Sequence, residues 1–502
     1  MTQNVKKVSI YLFGLRLIRT AVSIITVSLS AKYFGIGMER DVWLLVLAFI
    51  TTINLAVWGP INETFRTKFI FLREKEGEVE ALRRTASLLS FIVLGTILVS
   101  LVILLFPEQL MAVIAPSVSG EGTQLFVKML YFLVPTFLIN QLVTIGTSIL
   151  NAYESFYVPE IVNFFSGILN VLCLLLLAPV IGINSLVVSI YLSSILLLIV
   201  LILCIRKKRI KIRIPILFSW EAVKPFVFFS IPFFIPYFVS QCNAILEKSL
   251  SNLMGTGIVS TIDYARRFTE ILLSVFLSVL SSVLVPILSK YYSGQDYAGF
   301  HLVFKQYVQV VFLLLSLTIP LLIGAALPID TFFYFRGEVT MDTVSDIALL
   351  TQFYGIAFIS VAFYLFFGLT LLAQNQGKRY AVFGALAQVI MIVFDLAFYR
   401  ILGIYTFSIA LFISHALMAI VMYLNLDIQD KKGMTFYILR YMLLLVLLII
   451  TQVMFSQYFL SVHIILKVIL HGCLLCISLP IFAVILGFDL KQYILLIKMK
   501  MG

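Results

Sequence analysis

An all-α polytopic membrane protein is what this sequence predicts: about fourteen transmembrane helices, arranged as two parallel six-helix repeats and a C-terminal helix pair. Three observations carry that expectation. The 502-residue chain is 62% hydrophobic and only 12% charged, with a mean hydropathy of +1.09, whereas about a quarter of the residues in soluble proteins are charged. Apolar stretches of about 20 residues, the length that crosses the hydrocarbon as a helix, recur from end to end. Blocks from the first half of the chain also return in the second at a nearly constant spacing.

The expected helices begin, in order, near Val8, Trp43, Thr85, Gln124, Val158, Ser185, Pro225, Gly257, Gln306, Val344, Ala381, Ile404, Phe436 and Val462. The first follows a short polar leader, "MTQNVKKVSI", with no small-residue cleavage site, and so reads as a retained helix. The second opens after "YFGIGMERDVW" (33–43), where a G-x-G marks the turn and Asp41 stands in the first turn. "RTKFIFLREKEGEVEALRR" (66–84) separates the second from the third, and "RKKRIKIR" (206–213) follows the sixth. The intervening loops are too short for a soluble domain.

The repeat is read from two places. "YFGIGMERDVW" (33–43) and "LMGTGIVSTIDY" (253–264) share a G-x-G ahead of an apolar helix, with Gly35 and Gly37 matching Gly255 and Gly257. "APVIGINSLVVSIYLSS" (178–194) resembles "YRILGIYTFSIALFISH" (399–415), with Gly182 matching Gly403, so the offsets are 220 and 221. Six is an even number, so both halves enter the membrane from the same side, and the expected site lies between them. The expected lobes are residues 1–213 and 214–430, with 431–502 supplying the helix pair and a cytoplasmic tail.

With the N-terminus inside, about 25 of the 36 Lys and Arg residues fall on cytoplasmic loops and about five outside, which sets both termini on the cytoplasmic face. Contact with an anionic leaflet and the membrane topology account for the net charge of +12, which therefore gives no reason to expect nucleic acid.

Charges within the apolar runs are few. Arg16 and Arg19 share one face of the first helix, roughly 12 to 17 Å along its axis at 1.5 Å per residue. They need water, an anionic partner or a carboxylate from another helix. Glu247 and Lys248 in the seventh helix read as a self-pairing or snorkelling pair. The eighth helix carries Asp263, Arg266, Arg267 and Glu270, whose i, i+4 spacings allow partial self-neutralisation. Asp395, alone in the middle of the eleventh, is the candidate Na⁺ or H⁺ site, although a carboxylate paired with Arg400 or another helix would look the same. "HGCLLC" (471–476) reads as small apolar residues a turn apart rather than a metal or redox pair. No P-loop pattern occurs, and His301, His415, His463 and His471 are scattered. A transporter is expected rather than an enzyme, with no metal and no cofactor, and with coupling to Na⁺, H⁺ or the membrane potential. Arginine is permanently charged and grips phosphate oxygens with two parallel hydrogen bonds. A wet, arginine-lined cavity therefore suits a phosphate-bearing cargo and repels amphiphilic cations.

These blocks carry a resemblance. "AKYFGIGMERDVWLLVLAF" with "GPINETF", then "SILNAYESFYVPEIVNFFSGILN", and above all "GTGIVSTIDYARRFTEILLSVFLSVLSSVLVPILSKYYSGQD" resemble the MurJ (MviN) lipid II flippase family of the multidrug/oligosaccharidyl-lipid/polysaccharide exporter superfamily. The likeness covers the first twelve helices. It implies two lobes in a V, a lipid-tail groove formed by the last two helices, alternating access, and residence in the bacterial inner membrane. It also implies a cationic cavity for an undecaprenyl-diphosphate-linked glycan, held here by Arg16, Arg19, Arg266 and Arg267, with Asp41, Asp263, Glu270 and Asn54 in supporting or gating positions. Membrane lipids and a glycan polymerase or biosynthetic complex are the further partners expected. The chain departs from the family pattern twice. Asn54 stands about where the second helix should carry an arginine, and Arg266 replaces an aspartate in the eighth. The glycan is therefore open between lipid II and a surface polysaccharide unit, and the alternative reading is a cation-coupled multidrug antiporter on the same architecture.

Overall fold

Backbone N–H and C=O groups placed in hydrocarbon must be satisfied within the chain, which restricts a segmented apolar sequence to helices. The computed structural model describes residues 2–153, 155, 157–210, 212, 215–280, 284–458 and 463–488, without the side chains of 2–13, 16, 17, 157, 278 and 279. Among the described residues the regular structure is helical throughout. In chain order the elements are α1 (Thr2–Phe34), α2 (Met38–Glu76), α3 (Glu78–Leu105), α4 (Pro107–Ile114), α5 (Glu121–Ala152), α6 (Tyr157–Ile181), α7 (Asn184–Lys207), α8 (Trp220–Leu253) and α9 (Ile258–Val279). They continue with α10 (Val285–Ser293), α11 (Tyr297–Gly324), α12 (Ala326–Tyr334), α13 (Met341–Ala373), α14 (Gly377–Leu402), α15 (Thr406–Asn425), α16 (Lys431–Ser456) and α17 (Ile464–Ile485).

Eleven segments among the described residues are long and apolar enough to cross a membrane, and one of them, Gly377–Asn425, contains both α14 and α15. The charge-bearing α1 and α9 bring the long helices to the fourteen expected.

The duplication extends to the helix boundaries. Met38, Glu78, Glu121, Tyr157 and Asn184 open α2, α3, α5, α6 and α7, and Ile258, Tyr297, Met341, Gly377 and Thr406 open their counterparts 219 to 222 residues later. Even the short outer helices correspond, since Pro107 of α4 and Pro328 of α12 are 221 apart. α2 runs for 39 residues, and the corresponding stretch of the second copy opens with α9 and closes with α10.

The chain forms two compact units, residues 1–260 with 336–338, and residues 261–335 with 339–502. In the first, α8 packs along α2 and α3, with Phe65 stacked on Phe226 at 5.5 Å and Phe69 stacked on Phe65 at 5.8 Å. In the second, α11 lies against α13, α16 and α17. Phe312 of α11 stacks on Tyr441 of α16 at 4.6 Å, and Tyr441 stacks on Phe488 at 4.1 Å. This close approach needs Gly324, where a Cβ would stand 2.6 Å from Cβ of Gln452 and 3.1 Å from its carbonyl.

Gly324→Val should therefore push α16 from α11 and lower stability by about 1–3 kcal/mol, the usual cost of overpacking, measured as a fall in melting temperature in detergent.

Candidate functional site

Within the first unit, Arg19 finds the interhelical carboxylate that its position in α1 demands. Its Nη1 donates to Oε2 of Glu160 on α6 at 3.4 Å, and 46% of its side chain stays exposed. Arg16 lies on the same helix, but its side chain falls outside the described residues.

Asp41, in the first turn of α2, is buried. It accepts hydrogen bonds from the Gly257 amide at 2.5 Å, the Ser260 amide at 2.8 Å and the Ser260 hydroxyl at 2.5 Å. These are the donors that the start of α9 leaves without helical partners, and a carboxylate there also meets the positive end of the helix dipole. Gly257 has φ +88, a conformation that favours glycine, and a Cβ there would lie 2.7 Å from Cγ2 of Ile36. The two copies of the G-x-G motif thus press against each other. Arg40, buried beside Asp41, donates to the Ser260 carbonyl and the Ser30 hydroxyl, both at 3.4 Å. Asn54 accepts from the Gln141 side-chain amide on α5, and Asn62 donates to Gln141 at 3.3 Å. A neutral amide ladder therefore occupies the place where the sequence resemblance leads one to expect an arginine.

Within the second unit, Arg266 and Arg267 converge on one carboxylate. Arg266 Nε lies 3.9 Å from Glu270 Oε1, and Arg267 Nη1 donates to Glu270 Oε2 at 3.4 Å. The arginine side chains are 30% and 28% exposed and that of Glu270 45%. The Arg266 guanidinium also sits 5.6 Å from the ring centre of Tyr354 on α13. Asp263 is partly buried one turn earlier. Asp395 is fully buried in α14, while Arg400 donates to the Tyr399 hydroxyl at 2.9 Å.

A group missed in the sequence stands out here. Asp330 of α12 is completely buried, and the Thr351 hydroxyl is the polar group that bears on its carboxyl. Its only signal was a lone acid in the apolar run "ALPIDTFFYF". α12 lies outside the segments long enough to span a membrane. Burial pushes the Asp330 carboxyl well above the usual carboxylate range, with the neighbouring Thr351 hydroxyl opposing weakly.

His471 pairs through Nδ1 with Gln452 Oε1 at 2.6 Å, and Cys473 and Cys476 are exposed free thiols. A cavity of about 110 Å³ lies among α11, α16 and α17, lined by Phe312, Leu313, Tyr441, Leu444, Leu479 and Pro480 among others.

Comparison with known proteins gives relatives for the chain as a whole. The family model described as lipid II flippase MurJ matches residues 30–476. The lipid II flippase MurJ of Burkholderia cenocepacia is 22% identical over 251 residues, 48% of this chain and 48% of that protein. The probable lipid II flippase MurJ of Rickettsia prowazekii is 25% identical over 262 residues, 50% of each. The matched stretch thus spans about half the length of these curated relatives. Among solved structures, a lipid II flippase MurJ in an inward closed conformation superposes with a TM-score of 0.79 at 20% identity, over 94% of this chain and 99% of that one. An inward-facing multidrug resistance MATE transporter superposes at 0.66 and 12% identity, over 83% of this chain and 96% of that one.

Two stability outcomes follow from the geometry. Asp41→Ala strands three donors at the start of α9 and should cost about 2–4 kcal/mol, read as a loss of melting temperature. Asp330 holds its proton to higher pH in the folded chain than in the unfolded one. Its contribution is therefore complete below the unfolded pKa of about 3.9 and declines as pH rises towards the folded value, by up to about 1.4 kcal/mol per pH unit. Melting curves of Asp330→Asn from about pH 4 upward through neutral should lose that decline.

Proposed function

Because this chain belongs to the lipid II flippase MurJ family, we propose that it is an alternating-access flippase for a polyprenyl-diphosphate-linked glycan precursor. The cargo is lipid II or a surface polysaccharide repeat unit, carried from the cytoplasmic to the outer leaflet of the bacterial inner membrane. The observation that carries this reading is that Arg19, Arg266 and Arg267 lie on long helices yet keep between about a quarter and a half of their side chains accessible. A guanidinium held for packing alone would be enclosed, and one with no partner would be expelled from hydrocarbon.

Arg19 in the first unit, with Arg16 on the same helix, and Arg266 with Arg267 in the second each meet diphosphate oxygens in the cycle. The polyprenyl chain remains in lipid along α16 and α17, where the small apolar cavity offers a seat for its methyl branches. Both termini are cytoplasmic on this reading, and a Na⁺ or H⁺ gradient or the membrane potential drives reorientation, with Asp395 as the candidate cation site. A glycan polymerase or biosynthetic complex fits as a protein partner. The MATE likeness speaks for the fold alone, and two guanidinium groups on α9 are poor company for a cationic drug.

Proteoliposomes loaded with fluorescent undecaprenyl-diphosphate glycans test the reading. Arg19→Ala and Arg267→Ala should each slow translocation about 10- to 100-fold, the equivalent of a lost charge-assisted contact, while Arg→Lys retains part of it. Export of cationic dyes should be absent in all variants. Wild-type protein that leaves the glycan lipid in its original leaflet, or dye export abolished by the same substitutions, would overturn it.

A further inference from the structure

Between the spans Asn184–Lys207 and Trp220–Leu253 runs a connection for which the transport reading has no use. Its sequence, "RKKRIKIRIPILFSW" (206–220), divides into two chemistries. Six of the first eight residues are basic, an apolar stretch follows, and neither part contains an acid. Arg206, Lys207, Lys208 and Arg209 are exposed, and none of them meets a carboxylate among the described residues. Ile216 and Leu217 are 91% and 76% exposed and Trp220 47%. Apolar side chains left that open, side by side on a segment too short to span a membrane, call for a surface that covers them.

Contacts with α3 fix the depth of this stretch. The Ser90 hydroxyl donates to the Pro215 carbonyl. The Ser219 amide donates to the Ser87 hydroxyl at 2.7 Å, and Arg84 Nη1 to the Glu221 carbonyl at 3.1 Å. Phe218 meets Phe91 edge to face at 5.1 Å. Arg84 is the last charge on α3, and the apolar run from Thr85 to Leu105 is about 31 Å long, the thickness of the hydrocarbon. Ser87 and Ser90 follow Arg84 by three and six residues, which is about 4.5 and 9 Å further in. Pro215 and its neighbours therefore lie at the boundary of head groups and acyl chains, the depth of roughly 5–10 Å that interfacial segments take.

Irregular backbone at that depth is tolerated only where its polar groups find partners within the protein. Ser87 and Ser90 supply them, and Pro215 brings no N–H that needs one. A connection resting in water would need neither serine.

We propose that residues 206–220 are an anchor for anionic phospholipids. Ile216, Leu217 and Trp220 enter the acyl boundary of the adjoining leaflet, and the basic run lies on its head groups. Charge complementarity selects this occupant, because a run of six cations without an acid suits a surface of distributed negative charge. Two aliphatic side chains and a tryptophan beside it suit the membrane interface, where an amphipathic ring sits at head-group level. The anchor stands on the first unit alone, and only the identification of the leaflet as cytoplasmic rests on the flippase reading.

Full-length protein in nanodiscs of phosphatidylcholine, alone or mixed equally with phosphatidylglycerol, tests this. Trypsin should cut within 206–213 about tenfold more slowly in the anionic discs at low salt, and the difference should vanish at high salt. Lipid brominated near the head of its acyl chains should quench Trp220 more than lipid brominated near the chain ends. Trp43 and Trp58 are buried in the protein, and subtracting the Trp220→Phe signal removes their share. Ile216→Asp combined with Leu217→Asp should lower that quenching about twofold or more. Lys207→Gln combined with Arg209→Gln should shrink the tryptic difference, and serves as the readout if the aspartate variant does not fold. Equal tryptic rates in the two lipids, or quenching that is absent or strongest at the chain ends, would overturn the proposal. Protection that appears only on adding polyglutamate would overturn it in favour of an acidic protein partner. Failure of glycan translocation alongside the expected lipid response would count against the cargo and leave the anchor standing.

Discussion

A charge or backbone dipole placed in hydrocarbon must be answered from within the chain, and the described contacts follow from that constraint. Arg19 is answered by Glu160 from a helix more than a hundred residues away. The first amides of α9 are answered by Asp41, and the Ser260 carbonyl beside them by Arg40. The polar edge of α2 at Asn54 is closed by Gln141. Each answer ties one helix to another at a fixed register, so the polar contacts specify which apolar faces meet, while the aromatic and aliphatic contacts supply the area.

Duplication shows where the scaffold could change. Helix boundaries recur at an almost fixed spacing, because helix length and turn position are set by membrane thickness and glycine punctuation, which act on both copies alike. Side chains at equivalent positions are free of that rule. Gln109 in α4 is exposed, whereas Asp330, 221 residues on in α12, is fully enclosed.

The fold was legible for the same reason. Hydropathy runs report span length directly, and the paired glycines report turns that need left-handed backbone, so fourteen long helices and their repeat could be read from the residues. α4 and α12 could not, since eight or nine residues between spans look like loop. In the site, charges inside apolar runs announced themselves, which is how Arg19, Asp263, Arg266, Arg267, Glu270 and Asp395 were found. Their partners did not. Glu160 and the Gly257–Ser260 turn are distant in sequence from Arg19 and Asp41, and no local pattern encodes such pairings. Asp330 was passed over because an acid in a connection between spans is ordinary. Its burial, which makes it unusual, is a property of the packed chain.

The α9 charges themselves narrow the chemistry. Asp263, Arg266, Arg267 and Glu270 sum to zero, so net charge alone does not draw an anion there. Geometry does. Both guanidinium groups already turn to one half-exposed carboxylate, each toward a different oxygen. A diphosphate offers the same planar pairs of oxygens with greater charge, so exchanging Glu270 for it replaces one set of charge-assisted bonds by a stronger set without stripping either arginine bare. A cationic drug would have to take Glu270 from two arginines and then lie beside them, losing the pairing and gaining repulsion. On the proposed flippase reading, the carboxylate is the resident that keeps the guanidinium pair ordered until a more highly charged anion displaces it.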